Sequence, residues 1–135
     1  MRRILLSGAA LVIAMAGITL APAISASAQA SCTGTSNFLD SVGGVAPIPT
    51  IGNNTGRDNC DLGVGNDSGA VKTLQRELNA CYGQHLTVDG NFGSLTEAAL
   101  KVAQHRESIP ADGVYGPQTR DHLHWADNLG LCARL

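Results

Sequence analysis

Three sets of residues carry side chains capable of chemistry. Asp89 and Asp112 are carboxylates in matching surroundings, and glycoside hydrolysis uses such a pair, one as proton donor and one as base or nucleophile. His85, His105, His122 and His124 offer imidazoles of the kind that bind zinc. Cys32, Cys60, Cys81 and Cys132 would supply a Cys–His nucleophile if a thiol stayed free. Each set meets a plainer reading. His122 and His124 stand two apart on an expected helix, so they point in different directions, and the other two lie elsewhere. Four cysteines behind an export signal are expected as two disulfides, with no C-x-x-C pair to suggest zinc. The aspartates sit in a repeat that gives both the same turn-forming role. No catalytic residue, metal ligand or cofactor is expected.

The export signal is the first 30 residues. Arg2 and Arg3 precede an uncharged run from Ile4 to Leu20, and Ala28-Gln29-Ala30 fits an A-x-A cleavage site. A cut after Ala30 gives a secreted or wall-associated chain that leaves the membrane. The whole chain has 135 residues with 9 Lys+Arg and 11 Asp+Glu; losing Arg2 and Arg3 takes the net charge from −2 to about −4. Nucleic-acid binding needs a strongly basic face, so that class is excluded.

Residues 31–59 hold 18 Gly, Ser, Thr, Asn or Pro among 29, with Phe38, Val45, Ile48 and Ile51 scattered through them. That composition predicts an irregular arm, with room for one short strand near Val45–Ile51, docked on the domain through Cys32. Cys60 lies just before the first expected helix and Cys132 just after the last. Domain ends often meet, which favours Cys60–Cys132 and leaves Cys32–Cys81.

From residue 60 to 135 a repeat organises the chain. Asp89-Gly90-Asn91-Phe92-Gly93-Ser94-Leu95-Thr96 recurs as Asp112-Gly113-Val114-Tyr115-Gly116-Pro117-Gln118-Thr119, and a leucine follows four residues after each threonine, at Leu100 and Leu123. Asp-Gly favours a tight turn, and the second glycine of each copy lets the chain enter a helix. Pro117 suits a first helical position, with Gly116 as N-cap. For the preceding helix, register favours Gly93 as N-cap, whereas Ser94–Glu97 reads as a capping box. Periodicity predicts helices over about 69–80, 94–107 and 117–129, burying Val71, Leu74 and Leu78, then Thr96, Leu100 and Ala103, then Thr119, Leu123 and Ala126. The expected class is all-α: a compact three-helix domain with two repeated Asp-Gly loops, preceded by the irregular arm.

Val71-Lys72-Thr73-Leu74-Gln75-Arg76-Glu77-Leu78-Asn79 followed by the two Asp-Gly repeats resembles the three-helix peptidoglycan-binding domain of bacterial cell-wall hydrolases. Two positions depart from that family's pattern. Its F-Q pair reads Ala103-Gln104, and the tryptophan common after the last threonine is Arg120; Trp125 is expected to fill some of the lost volume. The resemblance implies a non-catalytic module that binds peptidoglycan, with a separate wall hydrolase as a further candidate partner. Sugar hydroxyls, N-acetyl groups and stem peptides suit aromatic and amide side chains. The candidates are Tyr82, Phe92, Gln104, Tyr115 and Trp125, with Asp89, Asn91 and Asp112 where the two loops would approach each other. The plainer reading has Phe92 and Tyr115 pinning their loops to the core, with Gln75 and Gln104 satisfying loop backbone groups. The rival function is a secreted protein-interaction or inhibitor module that reuses the scaffold, with residues 31–59 as its contact surface.

Overall fold

A computed structural model describes residues 28–135. The expected signal peptide, apart from its last three residues, lies outside the described residues.

Strands β1 (Gly34–Leu39) and β2 (Val45–Thr50) come first, followed by helices α1 (Gly69–Tyr82), α2 (Ser94–Arg106) and α3 (Pro117–His122). Strands β3 (Trp125–Ala126) and β4 (Cys132–Ala133) end the order. The all-α expectation is corrected: two antiparallel strand pairs, β1–β2 and β3–β4, accompany the helices.

The arm is a hairpin. Gly34 pairs with Thr50 and Leu39 with Val45. Pro47 and Pro49 fall at alternate positions of β2, so both missing N–H groups lie on one side, as an edge strand tolerates. The polar stretch Gly34-Thr35-Ser36-Asn37 hides the strand because it lacks alternating apolar residues. Its hydroxyls are paired instead: Ser36 Oγ lies 3.1 Å from Thr50 Oγ1, and Thr35 Oγ1 lies 2.6 Å from Thr73 Oγ1 on α1. Ala46 and Ile48 are fully buried and join Leu74, Leu78, Leu100 and Trp125 in one hydrophobic core.

The expected disulfide pairing is also corrected. Cys32 bonds Cys60, and Cys81 bonds Cys132. The chain at Ser31–Cys32 runs beside Asp61, with Cys32 N donating to Asp61 O at 3.0 Å, and this sets Cys32 against Cys60. Cys60 and Cys132 do not bond each other. Cys81, at the end of α1, instead meets β4.

Helix α1 starts at Ser68, whose Oγ accepts from Val71 N, and runs past Ala80 to Tyr82, because Gly83 takes the left-handed conformation (φ 64°) that closes it. Gly93 is the N-cap of α2, so register rather than the capping box describes its start. Gly116 and Pro117 begin α3 as the sequence suggests. That helix is much shorter than its apolar spacing implies. Leu123 turns extended (φ −67°, ψ 152°), and the chain enters β3, where Trp125 is buried with its Nε1 donating to Arg120 O at 3.0 Å. Tyr115 meets Trp125 edge-on, centroids 6.0 Å apart.

Strand β3 is tied to α1 by a buried carboxyl. Glu77 Oε2 accepts from Ala126 N at 2.6 Å. Burial pushes the Glu77 pKa up to about 7, outweighing the Ala126 hydrogen bond and the nearby Arg76, which lower it. A carboxyl raised in the folded state holds its proton there more tightly than in the unfolded chain. Its contribution is therefore full below about pH 4.5 and is lost as pH rises to about 7. Denaturant unfolding at about pH 5 and about pH 8 should show stability falling by on the order of 2 to 3 kcal/mol across that interval. Glu77→Gln, which keeps an acceptor for Ala126, should flatten the slope.

Candidate functional site

The two Asp-Gly loops have the same internal wiring. In the first, Gln75 of α1 directs Nε2 to Asp89 Oδ1 (2.9 Å), Asn91 O (3.1 Å) and Thr96 Oγ1 (3.2 Å), while Gly90 N donates to Gln75 Oε1 at 3.0 Å. In the second, Gln104 of α2 directs Nε2 to Asp112 Oδ1 (2.8 Å), Val114 O (3.0 Å) and Thr119 Oγ1 (3.0 Å), and Gly113 N donates to Gln104 Oε1 at 2.9 Å. Each aspartate also accepts from the backbone N–H two residues on, at 2.9 Å in both copies. Gly90 (φ 88°) and Gly113 (φ 77°) supply the positive φ that the turns require. One buried glutamine thus brackets each loop against the start of the following helix. The hydrogen bond from Gln75 is the main cause holding the Asp89 carboxyl below the usual carboxylate range.

Most of the aromatic and amide candidates are built into this frame. Phe92, Tyr115 and Trp125 are fully buried, and Gln104 is committed to its bracket. Tyr82 is buried too: its hydroxyl donates to Glu107 Oε1 at 2.8 Å and accepts from His124 N at 2.7 Å, and burial pushes its pKa up. Glu107 further binds His124 Nδ1 (2.9 Å) and Arg134 (2.8 Å). Burial would raise its pKa, but the hydrogen bonds from Arg134, Tyr82 and His124 prevail and hold it low. This cluster ties the end of α2 to the segment following α3 and to β4. Asp89, Asn91 and Asp112 are exposed.

Among the described residues no hydrogen bond joins the two loops. Each pairs with the segment before α1: Phe92 N donates to Asn66 O, and Tyr115 and Leu62 exchange two bonds of 2.8 Å. A groove of about 290 Å³ lies beside the first loop, lined by Gln75, His85, Leu86, Thr87, Asp89, Asn91, Gly93, Ser94, Leu95 and Thr96. Of the eight candidates it gathers Asp89 and Asn91. None of His85, Leu86, Thr87, Ser94 and Leu95 is among the binding residues expected from sequence. Leu95 carried the one usable signal: it is apolar yet lies off the buried stripe of Thr96, Leu100 and Ala103, and it remains 77% exposed.

The helix starts at the two loops differ. Gly93 provides no side-chain cap, so first-turn N–H groups of α2 face the groove without a side-chain acceptor. At α3 the first residue is Pro117, which has no N–H, and Asp61 Oδ1 lies 2.8 Å from where a β-carbon on Gly116 would stand. Desolvation, then repulsion from Asp112, raises the Asp61 pKa. Neither helix start has a side-chain cap; they differ in that α3 begins with proline and has Asp61 beside its N-cap glycine.

Residues 67–123, which contain both bracketed loops, match the family described as "Putative peptidoglycan binding domain". This segment is similar to that peptidoglycan-binding family. The match covers less than half of the chain. Among solved structures, the Burkholderia AP3 phage endolysin is 37% identical over 44% of this chain and 22% of its own, with a TM-score of 0.42. A fused Zn-dependent amidase/peptidase/peptidoglycan-binding domain-containing protein from Clostridium acetobutylicum is 36% identical over 44% of this chain and 26% of its own, TM-score 0.42. A peptidoglycan-binding protein from Clostridioides difficile, in complex with glutamine hydroxamate, is 24% identical over 64% of this chain and 54% of its own, TM-score 0.48. The chain therefore spans about a quarter of the first two proteins and about half of the third. A search of curated proteins finds no match.

The bracket is testable as structure. Gln104→Ala leaves the buried Gly113 N–H without its partner and the Val114 carbonyl with only Thr119 Oγ1, and should cost about 2 to 4 kcal/mol in urea unfolding. Asp112→Ala, which removes the bonds from Gln104 Nε2 and Val114 N at an exposed position, should cost about 1 to 2 kcal/mol.

Proposed function

We propose that the protein is a secreted, non-catalytic module that binds cell-wall peptidoglycan through the groove beside its first Asp-Gly loop. The observation that carries this reading is the groove at the start of α2, within a segment similar to the peptidoglycan-binding family; at the copy, Pro117 replaces a first-turn N–H and Asp61 stands beside Gly116. The groove combines an apolar lip, Leu86 and Leu95, with hydrogen-bonding groups on His85, Thr87, Asn91 and Ser94 and with uncapped N–H groups of α2. An N-acetyl group or a stem-peptide amide fits such a surface, its methyl against leucine and its carbonyl toward the helix start. The aspartates support binding over hydrolysis, since each has its Oδ1 occupied in holding a turn. No helix among the described residues is long and apolar enough to cross a membrane.

The test is co-sedimentation of the oxidised protein with insoluble peptidoglycan, with chitin as control. Saturable pelleting with peptidoglycan alone is expected, with little change at high salt, because the groove lacks Lys and Arg. Leu95→Asp should weaken it roughly tenfold, the loss of about 1.4 kcal/mol of apolar contact. Val114→Asp, at an exposed apolar residue of the second loop, should leave it unchanged. A folded sample that stays in the supernatant would rule the proposal out, and the arm would become the contact surface to examine.

A further inference from the structure

The two disulfides lie in different surroundings. Cys32 and Cys60 are buried in the hydrophobic core. The backbone around Cys32 is also held by hydrogen bonds: Cys32 N donates to Asp61 O, Thr33 N donates to Thr50 O, and Cys32 O accepts from Ser68 Oγ. Cys81 and Cys132 lie at the surface. Cys132 is exposed, and Cys81, in the last turn of α1, is half-buried. An attacking thiolate must reach one sulfur of a disulfide, so access separates the two bonds.

Cys81–Cys132 also holds a segment that has little else to hold it. Of residues 127–135, Ala133 is buried and Leu135 partly so, whereas Leu129 and Leu131 are 60% and 51% exposed. The β3–β4 ladder is two residue pairs long. The remaining ties are polar: Arg134 O accepts from Ser41 N, Asn128 N donates to Val45 O, and the Arg134 guanidinium donates to Glu107 Oε2. A segment with so few buried apolar contacts opens easily unless a covalent bond holds it. The bond joins residues 51 apart in sequence, a long loop to close, so it restricts the open chain strongly.

We infer that Cys81–Cys132 is a redox latch on the C-terminal hairpin, opened by a dithiol reductant while Cys32–Cys60 stays closed. A thiolate of the dithiol attacks the exposed Sγ of Cys132. The disulfide breaks, its electron pair leaves on Cys81 Sγ, and that sulfur takes a proton. The second thiol of the reductant attacks the partner sulfur of its own molecule in the mixed disulfide and releases Cys132 as a thiol. The dithiol ends as its disulfide, having passed two electrons and two protons to the protein. With the bond open, residues 127–135 leave the end of α1, and Arg134 leaves Glu107. The groove does not depend on the latch. Leu86 N donates to Asn79 Oδ1 at 2.8 Å and Asn79 Nδ2 donates to Leu86 O at 2.9 Å, while Gln75 holds the loop. Thiol redox state therefore acts on the C-terminal face and leaves the first loop as it is.

Titration of the oxidised protein with dithiothreitol, with iodoacetamide trapping and peptide mapping by mass spectrometry, reads which bond opens. The expected species at intermediate reductant is alkylated at Cys81 and Cys132, with Cys32–Cys60 intact. In that species the amides of Ser41, Asp127 and Asn128 should exchange hydrogen roughly tenfold faster or more, with residues 85–96 unchanged. Its Tm should fall by about 10 °C or more. The Cys81→Ser/Cys132→Ser variant, kept oxidised, should show the same exchange pattern. Opening of Cys81–Cys132 only together with Cys32–Cys60, or after it, would overturn the assignment. So would a species reduced at Cys81–Cys132 whose Ser41, Asp127 and Asn128 amides exchange as slowly as before.

Discussion

The bracket that a buried glutamine makes with an Asp-Gly loop is the interaction on which the rest of this structure depends. A loop that turns sharply leaves its backbone N–H and C=O groups without regular partners, and a buried amide is one of the few side chains that can satisfy both kinds at once. Gln75 and Gln104 do so from neighbouring helices. Each also reaches the threonine that opens the following helix. The bracket therefore fixes where a helix begins and in what direction, and the aromatic between the two glycines, Phe92 or Tyr115, can then be driven into the core. The first copy positions the start of α2, which is where the groove lies.

This part of the fold was legible because it is local. The Asp-Gly spacing, the threonine register and the Gly116-Pro117 start are short-range signals with their own physical causes, and the structure follows them. The remainder depended on distant contacts. A strand of Gly, Thr, Ser and Asn reads as a polar arm until Thr73 and Thr50 are found to satisfy its hydroxyls. The early end of α3 is a tertiary effect: burying Trp125 and offering Ala126 N to Glu77 outweighs continuing a helix whose spacing looked suitable. The disulfides followed backbone pairings that sequence does not display, Cys32 beside Asp61 and Cys81 beside β4.

The candidate site shows the same division. Residues chosen for their chemical type, Phe92, Tyr115, Trp125, Tyr82 and Gln104, were the ones the core most needed, since large rings and amides in a small domain hold it together. Exposed residues next to them are left free to meet a ligand. Leu95 is the clearest instance, an apolar side chain that the core does not take. The repeat has diverged at the helix starts: Pro117 stands at the first position of α3, where Ser94 stands in α2 beside the groove.

The most direct test of this account is a backbone amide NMR titration of the ¹⁵N-labelled protein with soluble muropeptides. Binding at the first loop predicts concentration-dependent shifts confined to residues 85–96, largest at the N–H groups of Ser94 to Thr96, with residues 112–119 unmoved. Shifts centred on the second loop or on the β1–β2 hairpin, or none from a well-folded sample at saturating ligand, would contradict it.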